Sequence, residues 1–190
     1  CWDGAPESEW VVNDMRRDSF NVLQNEELEI ILDTFYDRRN AVIFNINPIG
    51  GRMDGEIANE RDYNGDWNPV WTLETGRFDG GWSVEMAIPF RSLRYRPGRS
   101  QIWGFNVGRN IMHKNERGYL TGTDPGLGRA AIFQVSRSAT VVGLEVPTGE
   151  HPLEIKPYFI GDLSSDSNVS PALSNEFGGN VGIDIKYGLT

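Results

Sequence analysis

Apolar and polar positions alternate with a period of two along much of the chain. In Glu27–Asp33, written ELEIILD, three aliphatic side chains alternate with Glu27, Glu29 and Ile31. In AVIFNIN, residues 41–47, apolar side chains again recur at every second position. This period is typical of a half-buried β-strand. Because only the short linker TFYDRRN separates the two runs, they are predicted to pair as an antiparallel hairpin.

Further runs predict more strands. WSVEMAI and QIWGFNVGRNI place Trp82 and Trp103 on their apolar sides, which predicts that both rings lie in the core. AIFQV, TVVGLEV and a run near Trp71 bring the total to about seven short strands, whereas residues 51–68 are polar and predict a loop. PFRSLRY predicts one helical turn after its proline. The pattern predicts an all-β fold with the architecture of a β-sandwich.

The composition changes at VPTGEHP, residues 146–152. Beyond it, LEIKPYFIGD predicts a strand and LSSDSNVSPALSNEFGGN predicts a polar loop. Residues 181–190, VGIDIKYGLT, alternate apolar with small or charged side chains. An edge strand of a soluble sheet and a strand of a membrane barrel share this alternation, so the pattern alone leaves both open.

Charge narrows the classes of partner. The 190-residue chain has a formal net charge of −9. Nucleic-acid binding needs a basic surface, so the charge argues against DNA or RNA as a partner. The basic run RSLRYRPGR is predicted to be a solvated turn. The single cysteine, Cys1, excludes an intrachain disulfide, and the uninterrupted apolar runs are too short for a transmembrane helix.

Charges concentrate where the predicted hairpin turns. Asp33, Asp37, Arg38 and Arg39 all lie at this crossing. Opposite charges at a turn can pin the strands and satisfy turn amides. The favoured interpretation is therefore structural, with metal binding by the two aspartates as the alternative.

A second polar cluster is a candidate metal site. The run RDYNGDWN presents Asp62, Asn64 and Asp66 at alternate positions around Gly65. Hard oxygen ligands at this spacing suit a structural Ca²⁺ ion, although the closing glutamate of an EF-hand loop is absent. An Asx turn would use the same side chains to bind backbone amides. Both interpretations stay open.

Enzyme motifs are absent from the sequence. It contains no nucleophile elbow, no zinc-protease motif and no P-loop. A glycosidase needs two carboxyl groups at a fixed separation, and no spacing pairs the available glutamates. His113 is predicted to be an exposed loop residue. These observations favour a binding protein and leave catalysis open; the glutamates considered are Glu56, Glu74, Glu85 and Glu116.

Sugar recognition needs aromatic faces for the C–H surface of the ring and planar polar groups for its hydroxyls. Trp67 and Trp71 in GDWNPVW lie beside turn residues, where a Trp ring can form a platform or pack in the core. Arg109, Asn115 and Glu116 in GRNIMHKNE supply the polar groups. These five are the predicted carbohydrate-binding residues, and the alternative role of Arg109 is an Arg–Glu ion pair at the end of the sandwich.

Three segments in order resemble a family of bacterial outer-membrane proteins. They are LDTFYDRRNAVIFNINPIGGRMD, WNPVWTLETGRFDGGWSVEMAIPFRSLRY and WGFNVGRNIMHKNE. Members of that family carry an N-terminal domain similar to family 9 carbohydrate-binding modules, followed by a predicted membrane β-barrel. GWSVEMAIPFRSLRY is the specific motif, and the likeness covers nearly all of the chain.

The resemblance implies a domain organisation and a function. Residues 1–146 would be most of a family 9-like sandwich of the jelly-roll-like or immunoglobulin-like kind. CWD would end a strand, with the first strands lying upstream. Residues 147–190 would be a linker and the opening strands of an outer-membrane barrel, with the sandwich in the periplasm. The implied ligand is an oligosaccharide or polysaccharide. Two alternatives are a glycoside hydrolase-associated role in xylan-type polysaccharide catabolism and a sugar-independent plug or scaffold of a transport barrel.

Overall fold

Antiparallel strands dominate the computed structural model, consistent with an all-β fold. It describes Cys1, residues 4–147, and the backbone of residues 153–165 and 175–187, with the side chains of Tyr158 and of residues 181–183. The chain forms two compact units, Cys1–Pro147 and Thr148–Thr190. The strands are β1 (Glu27–Asp33), β2 (Ala41–Ile46), β3 (Arg52–Ala58), β4 (Asp62–Asn64), β5 (Thr72–Phe78), β6 (Gly81–Ala87), β7 (Ser100–Ile111), β8 (Glu116–Tyr119), β9 (Ala139–Glu145), β10 (Leu153–Ser165) and β11 (Asn175–Tyr187). The 3-10 helical segments are Glu7–Glu9, Phe20–Gln24, Phe90–Ser92, Met112–Lys114, Pro125–Phe133 and Val135–Arg137.

The predicted hairpin is confirmed at the centre of the larger sheet. β1 and β2 pair antiparallel, with Ile30 opposite Phe44. The sheet order is β4-β3-β2-β1-β7-β8, and β9 also pairs with β7. β5 and β6 form a separate two-stranded sheet. The predicted helical turn after Pro89 is also confirmed, as a 3-10 segment.

The edge of β7 that faces away from β1 is shared by two strands. β8 pairs with the C-terminal half of β7, and β9 pairs with its N-terminal half. Residues 120–138 connect the two and include two of the 3-10 segments. Ile132 and Val135 of this connection pack against Ile31 and Ile43, so it covers one face of the sheet.

The opposite face of the sheet packs against the β5–β6 hairpin. Phe44 and Trp103 from the sheet share a core cluster with Val84 and Met86 from the hairpin. Trp82 and Trp103 are buried, as predicted. β1 is therefore covered on both faces.

The expectation that β1 is half-buried is wrong. Glu27, Glu29 and Asp33 are as buried as Ile31, because the connection 120–138 and the segment Phe20–Gln24 lie over that side of the sheet. A strand that mixes charged and apolar side chains on one side can therefore lie in the middle of a sheet when other elements cover that side.

Two further expectations are wrong. Residues 51–68 are not a loop throughout, because β3 pairs with β2 from Arg52 to Ile57 and β4 pairs with β3. The polar Asp54 in β3 is buried and accepts hydrogen bonds from Trp71 Nε1 and Arg17, which hides the strand pattern in the sequence. AIFQV is 3-10 helical rather than a strand, because its apolar residues cover the sheet face instead of pairing with it.

The second unit contains a long hairpin. β10 and β11 pair antiparallel along their whole lengths, from Leu153 opposite Tyr187 to Ser165 opposite Asn175. Part of the predicted loop LSSDSNVSPALSNEFGGN is thus strand. Residues 166–174 lie outside the described residues, as do residues 148–152, positions 2 and 3 of CWD, and residues 188–190 of the alternating run VGIDIKYGLT. No helix in the described part of the chain has the length and apolar character needed to span a membrane.

Candidate functional site

Two glutamates of β1 lie on the side of the sheet that residues 120–138 cover. Glu27 and Glu29 share this side with Ile31, because alternate side chains of a strand point the same way. Glu27 is fully buried and Glu29 is 3% exposed. A buried carboxyl group is costly unless it is paired and hydrogen-bonded. The partners of these two groups therefore show what the arrangement can do.

Arg129 and Asn45 hold the two glutamates. A guanidinium nitrogen of Arg129 lies 2.7 Å from Glu27 Oε2, and another lies 3.2 Å from Glu29 Oε1. Asn45 Nδ2 donates to Glu27 Oε1 at 2.7 Å. Arg129 also donates to the Leu23 carbonyl, which ties the connection 120–138 and the segment Phe20–Gln24 to β1.

Burial perturbs both carboxyl groups. Burial raises the pKa of Glu27 to about 8, helped by the nearby charge of Glu29 and opposed by Arg129, Asn45 and Arg117. Burial likewise raises the pKa of Glu29, again against Arg129 and Arg117. Burial therefore favours the protonated form of Glu27, and the pair carries less negative charge than two ordinary glutamates.

A cavity of about 200 Å³ lies beside this cluster. Glu29, Asn45 and Arg129 lie along it, and three aromatic rings contribute much of the remaining wall. The Tyr63 and Phe133 rings are stacked, with centroids 6.4 Å apart and planes 10° apart, and Phe20 meets Tyr63 edge to face. Phe20 is 66% exposed, so the cavity lies next to the surface. The lining residues are Phe20, Leu23, Glu29, Ile43, Asn45, Met53, Tyr63, Arg129 and Phe133.

One buried polar atom of a residue that lines the cavity lacks a described partner. Asn45 is 1% exposed, and its Oδ1 has no hydrogen-bond partner among the described residues. Leaving a buried acceptor unpaired costs roughly 1–3 kcal/mol. This oxygen is itself buried, so it is closed to a ligand in the cavity. The aromatic wall of the cavity suits a ring that has apolar C–H faces.

The two tryptophans predicted to bind carbohydrate lie on the face of the sheet opposite the cavity. Trp71 is 2% exposed, its ring meets Phe44 at a centroid distance of 5.0 Å, and its Nε1 donates to Asp54 at 2.8 Å. This ring is closed to a ligand, so Trp71 is placed as a core residue rather than a sugar platform. Trp67 also packs on Phe44, at 5.8 Å, and is half-buried. The structure brings the two tryptophans together but does not bring them to the cavity.

The predicted polar residues are not brought together into one site. The Arg109 guanidinium forms an ion pair with the buried Glu26, at 2.9 Å, and lies over the Trp82 ring, 5.2 Å from its centroid. Asn115 forms a left-handed turn with φ 53°, and Glu116 is exposed at the start of β8. Arg109 thus forms an Arg–Glu ion pair, and its partner is Glu26.

Glu26 also explains the position of His113. The side chain of His113 is 11% exposed, and its Nδ1 lies 2.8 Å from Glu26 Oε1. The prediction of an exposed loop residue is therefore wrong, because a buried carboxylate draws the imidazole ring inward.

The candidate calcium ligands form an Asx turn. Asp62, Asn64 and Asp66 are exposed, and Asn64 Oδ1 accepts a hydrogen bond from the Asp66 backbone N–H at 3.0 Å. Asn64 Nδ2 faces Glu56 at 3.3 Å. Within residues 4–147 and the other described residues, no group of three or more His, Cys, Asp or Glu side chains is placed to hold a metal ion.

The charges at the β1–β2 crossing hold the turn, which confirms the structural interpretation. Asp33 accepts from the backbone N–H groups of Asp37 and Arg38, at 3.1 and 2.9 Å. Asp37 in turn accepts from the backbone N–H of Arg39 at 2.8 Å. The Arg38 guanidinium donates to the Thr140 hydroxyl at 2.6 Å, which links the turn to β9.

The comparisons with known proteins identify no relative. No family model, curated protein or solved structure matches the chain. The class of protein that geometry defines is a domain of layered antiparallel strands with an aromatic cavity beside a buried carboxyl pair.

Sequence reasoning missed the residues of the cavity. One signal was present for Glu27 and Glu29: they share a side of β1 with Ile31, so that side is neither purely apolar nor purely solvated. For Arg129 the sequence held no signal, because it lies 100 positions from Glu29 and the contact depends on the path of residues 120–138.

Proposed function

We propose that Cys1–Pro147 is a non-catalytic carbohydrate-binding domain, which binds one unit of an oligosaccharide or polysaccharide in the cavity beside β1. The observation that carries the proposal is the cavity walled by the aromatic rings of Phe20, Tyr63 and Phe133. Sugar rings present apolar C–H faces, and aromatic rings complement these faces.

The size of the cavity limits the ligand. Its volume of about 200 Å³ lies below the roughly 300–1,000 Å³ of pockets for drug-sized molecules. One sugar ring or a chain end suits this space better than a long internal segment of a polymer. The proposed mode is therefore recognition of a single unit, with any remaining units outside the cavity.

The type of β-sandwich and the cellular location of the protein belong to the same proposal. The packing of the β5–β6 hairpin on the larger sheet supports a β-sandwich of the family 9 type. In the second unit, Val181 and Ile183 are large apolar side chains with 73% and 62% exposure. Outward apolar residues at alternate positions suit a lipid-facing strand. They support an outer-membrane barrel that begins in this unit, with the sandwich in the periplasm.

Hydrolysis finds less support than binding. A glycosidase needs one carboxyl group that donates a proton and a second that acts as a base or nucleophile, both at the scissile bond. The raised pKa of Glu27 would suit an acid, but Glu27 is fully buried. The glutamates weighed from the sequence are spread over several strands, and Glu85 and Glu116 are exposed on different ones.

Titration calorimetry of the full chain with xylo- and cello-oligosaccharides tests the proposal. Phe20→Ala removes an exposed ring from the cavity wall, and we expect it to weaken binding about three- to tenfold, the value of one aromatic contact. Phe78→Ala is the matched control, because Phe78 is 49% exposed and does not line the cavity. Trp67→Ala should likewise leave the affinity unchanged.

Three results would count against the proposal. Absence of binding across the panel with a folded sample would remove the carbohydrate function and favour a sugar-independent plug or scaffold. Loss of binding in Trp67→Ala but not in Phe20→Ala would move the site to the loop predicted from the sequence. Release of reducing sugar that stops on Glu85→Gln or Glu116→Gln would favour a hydrolase.

A further inference from the structure

The cavity beside β1 presents an apolar surface, although four residues of its lining carry polar side chains. The Arg129 guanidinium pairs with Glu29 and Glu27, at 3.2 and 2.7 Å. Asn45 Nδ2 donates to Glu27 at 2.7 Å, and Asn45 Oδ1 is closed to a ligand by its own burial. These polar groups therefore hold the fold together, and a ligand hydroxyl that entered the cavity would find no partner among them.

The tyrosine of the cavity wall is engaged in the same way. The Tyr63 hydroxyl donates to the Asp54 carbonyl at 2.9 Å, and the Tyr63 ring contacts Phe133 and Phe20. Aromatic ring faces complement C–H groups. Burying a hydroxyl without a hydrogen-bond partner is costly, whereas burying a methyl group is favourable. The part of a ligand that enters this cavity must therefore be apolar.

We infer that the cavity takes the methyl edge of a 6-deoxyhexose, a sugar whose carbon 6 is a methyl group rather than a hydroxymethyl group. This inference rests on the proposed function and narrows its ligand class. The methyl group and the neighbouring ring C–H groups form one apolar edge, which lies against Tyr63 and Phe133. The hydroxyls of the opposite edge stay hydrated at the mouth of the cavity, beside Phe20, which is 66% exposed. An ordinary hexose brings one more hydroxyl into the apolar part and binds more weakly.

The test is titration calorimetry of the full chain with pairs of methyl glycosides that differ only in the oxygen on carbon 6. The pairs are 6-deoxyglucose and glucose, fucose and galactose, and rhamnose and mannose, each pair of one enantiomer. In the configuration that binds, we expect the 6-deoxy member to bind about tenfold more tightly, the cost of one unpaired hydroxyl. Equal affinity within every pair, or tighter binding of the hexose, would overturn the inference and leave the carbohydrate function standing. So would binding of xylo- or cello-oligosaccharides without binding of any 6-deoxy sugar. No binding of any sugar would overturn both.

Two variants locate the preference in the cavity. Leu23 lines the cavity and is half-buried. Leu23→Asn nearly keeps the size of the side chain and adds a donor and an acceptor to the wall, so the ratio of 6-deoxy to hexose affinity should fall by roughly threefold or more. Leu120→Asn is the matched control, because Leu120 is 59% exposed and does not line the cavity, and it should keep the wild-type ratio. An unchanged ratio in a folded Leu23→Asn variant overturns the inference. If this variant does not fold, the comparison of sugar pairs on the wild type decides the inference by itself.

Discussion

Glu27→Gln is expected to change how the stability of the first unit depends on pH. Glu27 is fully buried and its pKa is raised from an ordinary value of 4.5 to about 8. In the unfolded chain this carboxyl group loses its proton near its ordinary value, whereas in the folded chain it keeps the proton until about pH 8. Between these values the folded state binds more protons, so the free energy of unfolding falls as pH rises.

The size of the effect follows from the two pKa values. One pKa unit corresponds to about 1.4 kcal/mol. From pH 4.5 to pH 7, ionisation of Glu27 in the unfolded chain therefore lowers the stability of the wild type by about 3 kcal/mol. Glutamine has nearly the same shape and does not titrate. Relative to the wild type, the variant should gain about 3 kcal/mol of stability over this interval.

The assay is urea unfolding at several pH values, followed by tryptophan fluorescence. All six tryptophans lie between positions 2 and 103, so their fluorescence reports the unit Cys1–Pro147 and not the second unit. Glu85→Gln is the control, because its carboxyl group is exposed on β6. Its stability curve should run parallel to that of the wild type.

Parallel stability curves for Glu27→Gln and the wild type between pH 4.5 and pH 8 would refute the reasoning. They would mean that Glu27 is ionised in the folded state at neutral pH and that Arg129 and Asn45 fully offset its burial. The opposite sign would be a free energy of unfolding of Glu27→Gln that falls relative to the wild type as pH rises. This result would show that the ion pair with Arg129 outweighs the desolvation of Glu27.

Three further predictions concern the turn, the core and the cavity wall. Asp33→Ala should lower the free energy of unfolding by about 3 kcal/mol, because two turn amides lose a charged acceptor; a loss below 1 kcal/mol in urea unfolding would contradict this. Trp71→Ala should cost about 3–5 kcal/mol in the same assay, because the ring is buried in the core, and a surface-like loss near zero would restore Trp71 as a platform. Gly55→Ala should weaken sugar binding, because a Cβ at Gly55 would lie 2.4 Å from a Tyr63 ring carbon and displace the ring. Gly118→Ala is its control, since a Cβ there has no described atom within 4 Å; equal affinities of the two variants in calorimetry would show that the position of Tyr63 does not matter.

The strands that follow simple alternation could be predicted from the sequence. β1, β2, β6, β7 and β9 each have an apolar period of two, and Trp82 and Trp103 lie in the core as that period requires. β3 could not be found in this way, because Asp54 occupies a buried position with Trp71 and Arg17 as partners. Those partners lie in other parts of the chain, so no local sequence pattern predicts them.

The cavity was harder to predict from the sequence than the strands were. Its carboxyl group and its cation come from β1 and from residues 120–138, and only the folded path of that connection brings them together. The aromatic residues singled out from the sequence lie near turns, but Trp71 was drawn inward by its hydrogen bond to Asp54. A rule that places tryptophans beside turns at the surface fails where a buried acceptor is available.

The arrangement of β8 and β9 along one edge of β7 has an evolutionary consequence. The connection 120–138 begins after β8 and ends before β9, and both of these strands pair with β7. Arg129 and Phe133 of this connection line the cavity. The sequence and length of the connection can therefore diverge while the ladder hydrogen bonds of β7 stay intact. Homologous chains that differ in the connection 120–138 are expected to select different ligands on one unchanged scaffold. Grafting this connection from one chain to another should transfer the ligand selectivity.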